Sequence, residues 1–160
     1  YNCLEPACGR GYMSMTLGEY FHTVRSQDVA DYGFGDVQDF LEFETSKRWD
    51  WVITNPPFRL AEKFIDKALR ISRVGCAFLV RTNFVESIGR YDRLFSKRPP
   101  NIVAQFSERV PMVKGRLDRK ASSASGYCWL VCQSERNFNP EMVWIPPCRK
   151  RLESVEDYPT

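Results

Sequence analysis

The run Asn55-Pro56-Pro57-Phe58 follows directly on the apolar stretch Trp51-Val52-Ile53-Thr54. Such a stretch reads as a buried strand. Two consecutive prolines stop it, because each fixes φ near about −65° and neither has an N–H to donate to a ladder. The carbonyls of Asn55 and Pro56 are then left without an obvious ladder partner. The result is a rigid corner rich in acceptors. An exocyclic amino group has two hydrogens and calls for two acceptors, which the Asn55 side-chain oxygen and the Pro56 carbonyl supply. Holding both hydrogens turns the nitrogen lone pair out of the ring plane and makes the amine more nucleophilic. No strong base is required, since the proton leaves after the new bond to nitrogen forms. Phe58 offers an aromatic face to a planar substrate. The plainer reading is a proline-terminated strand with a core phenylalanine.

A second stretch of this kind opens the chain. Residues 2–7 read as a short buried strand and residues 12–20 as a short helix, joined through Glu5-Pro6-Ala7-Cys8-Gly9-Arg10-Gly11. Glycine permits positive φ and close approach of a ligand to the backbone, and a helix start offers free N–H groups. The spacing is not that of a dinucleotide turn, since position 14 is serine, and no Gly-Lys-Ser/Thr follows as in a phosphate loop. Glu5 would repel a pyrophosphate but suits an ammonium, which favours a ligand carrying an amino acid. Asp28, at the end of the next strand, is placed to accept ribose hydroxyls. Asp39, followed by Phe40 and Leu41, suits the edge and face of an adenine. Each acid taken alone reads equally as a turn or capping residue.

The elements that must position these residues alternate. Residues 22–29 read as a strand, and 30–48 as turns with little room for regular structure. Residues 50–54 read as a strand. A helix over 60–72 has apolar residues at 60, 61, 64, 65, 68 and 69. Gly75 punctuates it, and 76–82 is another apolar strand. A loop or helix covers 84–97, broken by Pro99-Pro100. Residues 102–107 and 127–133 form a last pair of strands. Residues 134–160, with four prolines, read as an irregular tail. Strand–helix–strand alternation predicts an α/β fold with a mostly parallel sheet and helices on both faces. The last pair, joined without a helix, makes one strand near the C-terminal end antiparallel.

At 160 residues and 43% hydrophobic composition, the chain fits a single domain over 1–160. The net charge of +3 is too small to argue for a polyanionic partner by itself, but its distribution is uneven. Residues 109–120 hold Arg109, Lys114, Arg116, Arg119 and Lys120 against a single acid, Asp118, and a serine-rich stretch follows. That reads as a nucleic-acid contact or as a solvated loop. Arg149, Lys150 and Arg151 form a second, weaker cluster. The six cysteines make no C-x-x-C pair and the single histidine is His22, so no metal is expected; buried reduced thiols in a cytoplasmic protein are. No apolar run reaches the about 18 residues of a membrane span. A chain that begins at Tyr1, four residues before a motif, is expected to continue upstream.

With these motifs in this order, the sequence resembles the class I S-adenosylmethionine-dependent methyltransferases over most of residues 1–133. The closest subgroup is the N6-adenine DNA methyltransferases, particularly compact phage or prophage types. The resemblance implies a Rossmann-like sheet and S-adenosylmethionine as cofactor. Glu5, Pro6, Ala7, Cys8, Gly9 and Gly11 would surround its methionyl part, Asp28 would hold the ribose, and Asp39 with Phe40 the adenine. Asn55, Pro56, Pro57 and Phe58 would hold the target base, Asn55 also bordering the cofactor. The implied partner is DNA, with RNA adenine as the alternative; a catalytically silent partner subunit is a third reading. The implied compartment is a bacterial or phage-infected cytoplasm. Three departures stand out: a compressed third strand, no upstream cofactor-binding segment, and no large recognition domain.

Overall fold

The computed structural model describes residues 1–112, 124–135, 139–154 and 157. One eight-stranded sheet organises them, in the order β3-β2-β1-β4-β5-β7-β6-β8. The strands are β1 (Asn2–Glu5), β2 (Thr23–Asp28), β3 (Asp36–Val37), β4 (Trp49–Thr54), β5 (Ser72–Arg81), β6 (Ile102–Phe106), β7 (Tyr127–Gln133) and β8 (Glu141–Ile145). All neighbours are parallel except β7, which is antiparallel to both β5 and β6. The expected mostly parallel sheet with an antiparallel strand near the C-terminal end is therefore what the chain forms. Because every strand but β7 runs the same way, their carboxyl ends share one edge, and β7 begins there.

Burial follows from composition. In β5, Gly75 through Val80 are buried without a break, as required of a strand covered on both faces. Helix α1 spans Tyr12–Leu17 and α2 spans Ala61–Ile71. Ala61, Phe64, Ile65, Ala68 and Leu69 of α2 are all buried, the i, i+3, i+4 stripe of an amphipathic helix. They join Leu4, Val52, Cys76, Phe78 and Leu130 in the core. α2 passes into β5 with no loop, so the strand begins four residues before the expected 76. Gly75 lies inside β5 rather than marking a turn. A Cβ there would stand 2.5 Å from the Cys132 carbonyl oxygen, and only glycine lets β7 come so close.

One α2 side chain is a charged exception. Lys67 is buried, and its Nζ donates to the carbonyls of Leu41 (3.0 Å) and Phe43 (2.6 Å). It also stands 5.6 Å from the centroid of the Phe40 ring. The loop after β3 is thereby fastened to the middle of α2.

Residues 82–95 form a 3-10 turn (Thr82–Val85), then α3 (Ile88–Arg90) continued by a π turn (Tyr91–Phe95). Phe84 and Leu94 anchor this segment in the core. The compressed third strand is real: β3 has two residues, paired with Gln27 and Asp28. The tail departs from expectation. Residues 134–160 are not irregular throughout, for Glu141–Ile145 adds β8 in parallel beside β6, and α4 (Arg149–Leu152) follows. Asn101 secures this return. Its Oδ1 accepts from Gln133 N (2.7 Å), and its carbonyl accepts from Glu141 N (2.9 Å). Among the described residues no helix is long and apolar enough to cross a membrane.

Candidate active site

The glycine turn leaves the carboxyl end of β1 and is held from the neighbouring strand. Cys8 N donates to Gln27 O at 3.0 Å, and Gly9 N to Asp28 Oδ2 at 2.9 Å. Asp28 Oδ1 accepts from Ala30 N at 3.2 Å. Asp28 thus binds both the turn and its own loop, leaving further lone pairs on each oxygen. Gly9 (φ 51°) and Gly11 (φ 85°) both adopt the left-handed conformation that glycine allows. They differ in surroundings. A Cβ on Gly9 would meet nothing within 4 Å, whereas one on Gly11 would lie 2.5 Å from the Phe34 ring. The open space for a ligand is therefore at Gly9; at Gly11 it is filled by Phe34. Gly11→Val is expected to cost about 1–3 kcal/mol through backbone strain alone, and to drive Phe34 off the turn. A melting curve identical to wild type would contradict this turn geometry.

Glu5 is 2% exposed. Burial pushes its carboxyl up to about 7, Ser14 holding it back through a hydrogen bond and the Asp28 charge adding to the rise. The Ser14 hydroxyl donates to Glu5 and lies 2.5 Å from Ser26 Oγ. Ser14 and Ser26 had no signature in the sequence, since only the fold brings α1 and β2 onto Glu5. Pro6 and Cys8 are buried and Ala7 is half-buried. Burial likewise pushes the Cys3 thiol up to about 12 and the Cys128 thiol up to about 11. All six cysteines are free.

Asp39 is half-buried, its Oδ1 accepting from Leu41 N at 2.8 Å. Phe40 packs in the core. Its ring was expected to face an adenine but is 1% exposed, 4.8 Å from the Phe64 ring centroid. Packing against α2 thus places the ring in the core.

The Asn-Pro-Pro-Phe corner sits at the carboxyl end of β4, between the ends of β1 and β5. Asn55 Oδ1 is buried and has no hydrogen-bond partner. Pro56 is buried and Pro57 exposed. The Phe58 ring, 42% exposed, is not a core residue. It stands 6.4 Å from the Tyr127 ring, and the Arg81 guanidinium lies over it at 4.4 Å. Arg81 and Tyr127 were not singled out from the sequence. Arg81 ends an apolar strand, where a basic residue ordinarily marks only the surface.

Of the basic connection, Arg109 is exposed and donates to Ala124 O. Lys114, Arg116, Arg119 and Lys120 lie outside the described residues. The roots of the connection are on the carboxyl edge: Ser107 follows β6, and Gly126, just before β7, accepts from Thr82 N at 2.9 Å. Among the described residues no group of three or more His, Cys, Asp or Glu could hold a metal ion.

Several solved structures share this architecture. The N-methyltransferase NodS from Bradyrhizobium japonicum WM9 superposes with a TM-score of 0.53 at 16% identity, over 88% of this chain and 86% of its own. The SAM-dependent O-methyltransferase TM0748 from Thermotoga maritima gives 0.55 at 14% identity, over 85% of this chain and 60% of its own. The 23S rRNA methyltransferase ErmE gives 0.54 at 14% identity, over 86% and 63%. The chain thus spans less than two thirds of the length of the last two. No protein-family model and no curated protein matches the sequence. The fold is the Rossmann-like sheet of class I methyltransferases.

Proposed function

We propose that this chain transfers a methyl group from S-adenosylmethionine to an exocyclic amino group of a planar base, the N6 of adenine in DNA. The observation that carries this reading is Asn55 Oδ1, buried and unpartnered beside the exposed ring of Phe58. A buried acceptor left unsatisfied costs about 1–3 kcal/mol, and a substrate N–H removes that cost on binding. Asn55 takes one hydrogen of the amine and the Pro56 carbonyl the other, while Phe58 stacks on the base. The Arg81 guanidinium over the ring is worth about 0.5–1 kcal/mol at an exposed site. Base stacking is worth about 1–3 kcal/mol, so a base competing for that face displaces it.

The donor set beside the corner fits the cofactor. Gly9 leaves room above the turn, and the buried Glu5 carboxyl suits an ammonium better than a phosphate. Pro6, Ala7, Cys8 and Gly11 shape the turn. Asp28 accepts the ribose hydroxyls on its remaining lone pairs, and Asp39 receives the adenine amino group. When bound, S-adenosylmethionine supplies an electrophilic methyl on its sulfonium. The basic connection, through Arg109, Lys114, Arg116, Arg119 and Lys120, grips the phosphates of a duplex from which the base has been flipped.

Tritiated-methyl transfer to matched DNA, RNA and protein substrates tests the reading. Label is expected in DNA, recovered as N6-methyladenine after hydrolysis. Label in RNA alone would give the second reading, for which the fold shared with a 23S rRNA methyltransferase speaks. No label in any substrate, by a chain that binds the cofactor, would make it a silent partner subunit.

A further inference from the structure

The strand added at the sheet edge brings a cationic cluster to the same side as the corner. β8 runs parallel to β6 in the register Ile102↔Glu141 to Phe106↔Ile145, so the chain leaves β8 at the carboxyl edge. Ser107 fastens that exit, its N and Oγ both donating to Ile145 O at 3.0 and 2.7 Å. After Pro146-Pro147, Glu108 Oε1 accepts from Cys148 N at 2.6 Å and Arg149 N at 2.7 Å. These two N–H groups hold the Glu108 carboxyl below the ordinary range. A carboxylate at the end of β6 thus fixes the start of α4, whose four residues include Arg149, Lys150 and Arg151.

The cluster is only partly neutralised locally. Glu108 is committed to the α4 backbone, and Glu153 pairs with Arg149 at 3.7 Å. Lys150 and Arg151 are exposed, and among the described residues neither side chain has an ion pair or hydrogen bond. Arg109, one residue past Glu108, adds a further exposed cation on this edge.

Resting on the function proposed above, we propose that α4 is a second phosphate-binding element, and that Lys150 and Arg151 grip the DNA backbone at a fixed distance from the flipped base. The distance follows from topology. β8 lies four strands from β4, and at about 4.8 Å per strand that is about 19 Å along the edge. A duplex rises about 3.4 Å per base pair, so the contact falls five to six base pairs, roughly, from the target. Adenine methylation needs the base out of the stack, and a distant grip on the backbone holds the duplex while the base is out.

The experiment uses the full chain and a duplex of roughly 24 base pairs with one central adenine opposite an abasic site. An unpaired base is the least costly to flip and fixes the register. Binding is measured against salt for wild type and for Lys150→Ser/Arg151→Ser, with unchanged melting temperatures as the check on folding. Two lost phosphate contacts should lower the slope of log affinity against log salt by about 1.8. On a duplex cut to roughly three base pairs on each side, which by the spacing above does not reach α4, the two proteins should bind alike. Equal slopes on the long duplex overturn the assignment to α4 while leaving the function standing. An equal loss on both duplexes overturns the spacing. Wild type that binds no DNA in a salt-dependent way overturns this inference together with the DNA reading.

Discussion

Asn55→Ala should lower methyl transfer by about 10² or more while leaving the chain at least as stable as wild type. The rate loss follows from removing one acceptor placed where charge develops on the amine. The stability result follows from the free chain. Asn55 Oδ1 is buried without a partner, a condition that costs about 1–3 kcal/mol. Alanine removes the acceptor and its unmet demand together. A structural asparagine would behave in the opposite way, losing stability and sparing the rate. Affinity for S-adenosylmethionine should stay within about tenfold of wild type, since the side chain is assigned chiefly to the amine; tenfold is about 1.4 kcal/mol. Near-wild-type turnover of Asn55→Ala on a DNA substrate would reduce the corner to a strand terminator.

Glu5→Gln should stabilise the chain at alkaline pH and weaken its hold on the cofactor. The Glu5 carboxyl is raised, chiefly by burial, from an ordinary 4.5 to about 7. A group with a raised folded value favours the folded state while protonated. Its contribution is complete below about 4.5 and is lost as the pH rises through about 7. At 1.36 kcal/mol per pH unit, the loss is about 3 kcal/mol between pH 4.5 and 7, with no further change above. Glutamine matches the protonated carboxyl in shape and does not titrate, so denaturant unfolding of Glu5→Gln should lack this fall. An ammonium at the carboxyl requires the ionised form, so wild-type affinity should rise toward pH 7 and then level. Below pH 7 binding should release a proton, readable by calorimetry in buffers of different ionisation enthalpy. Superimposable pH–stability profiles for wild type and Glu5→Gln would sink this account of Glu5.

What the sequence made legible, and what it did not, divides along physical lines. β4 is an apolar run with clear ends and α2 carries an unbroken stripe, so local composition was enough there; the apolar run of β5 was legible too, but not its start at Ser72, directly after α2. The Asn-Pro-Pro-Phe corner was legible because proline acts locally on φ and on donors. β3 was legible only as a compressed third strand somewhere within 30–48, because two residues carry no period and pair only because Gln27 and Asp28 lie alongside. β8 was hidden by the prolines around it. Glu141 through Trp144 are all exposed, so there is no alternation to read. Phe40 was assigned to a ligand from its place beside Asp39, whereas its ring is placed by Phe64, 24 positions away. Ser14 and Arg81 share this difficulty. Serine in a helix and arginine at a strand end are ordinary, and become notable only when the fold sets them against Glu5 and Phe58.

The buried Lys67 gives the two halves of the site a common floor. α2 begins three residues after Phe58, and its Lys67 holds the carbonyls of Leu41 and Phe43, just past Asp39. One helix therefore links the segment just after Phe58 to the loop just after Asp39, the two places assigned above to the base and to the cofactor. If both assignments hold, a ligand that shifts one end of α2 is expected to act on the other through these packed side chains. Thermodynamic reciprocity then applies. Whatever factor the cofactor adds to base affinity, the base must add to cofactor affinity, and departing product loosens its companion by the same amount.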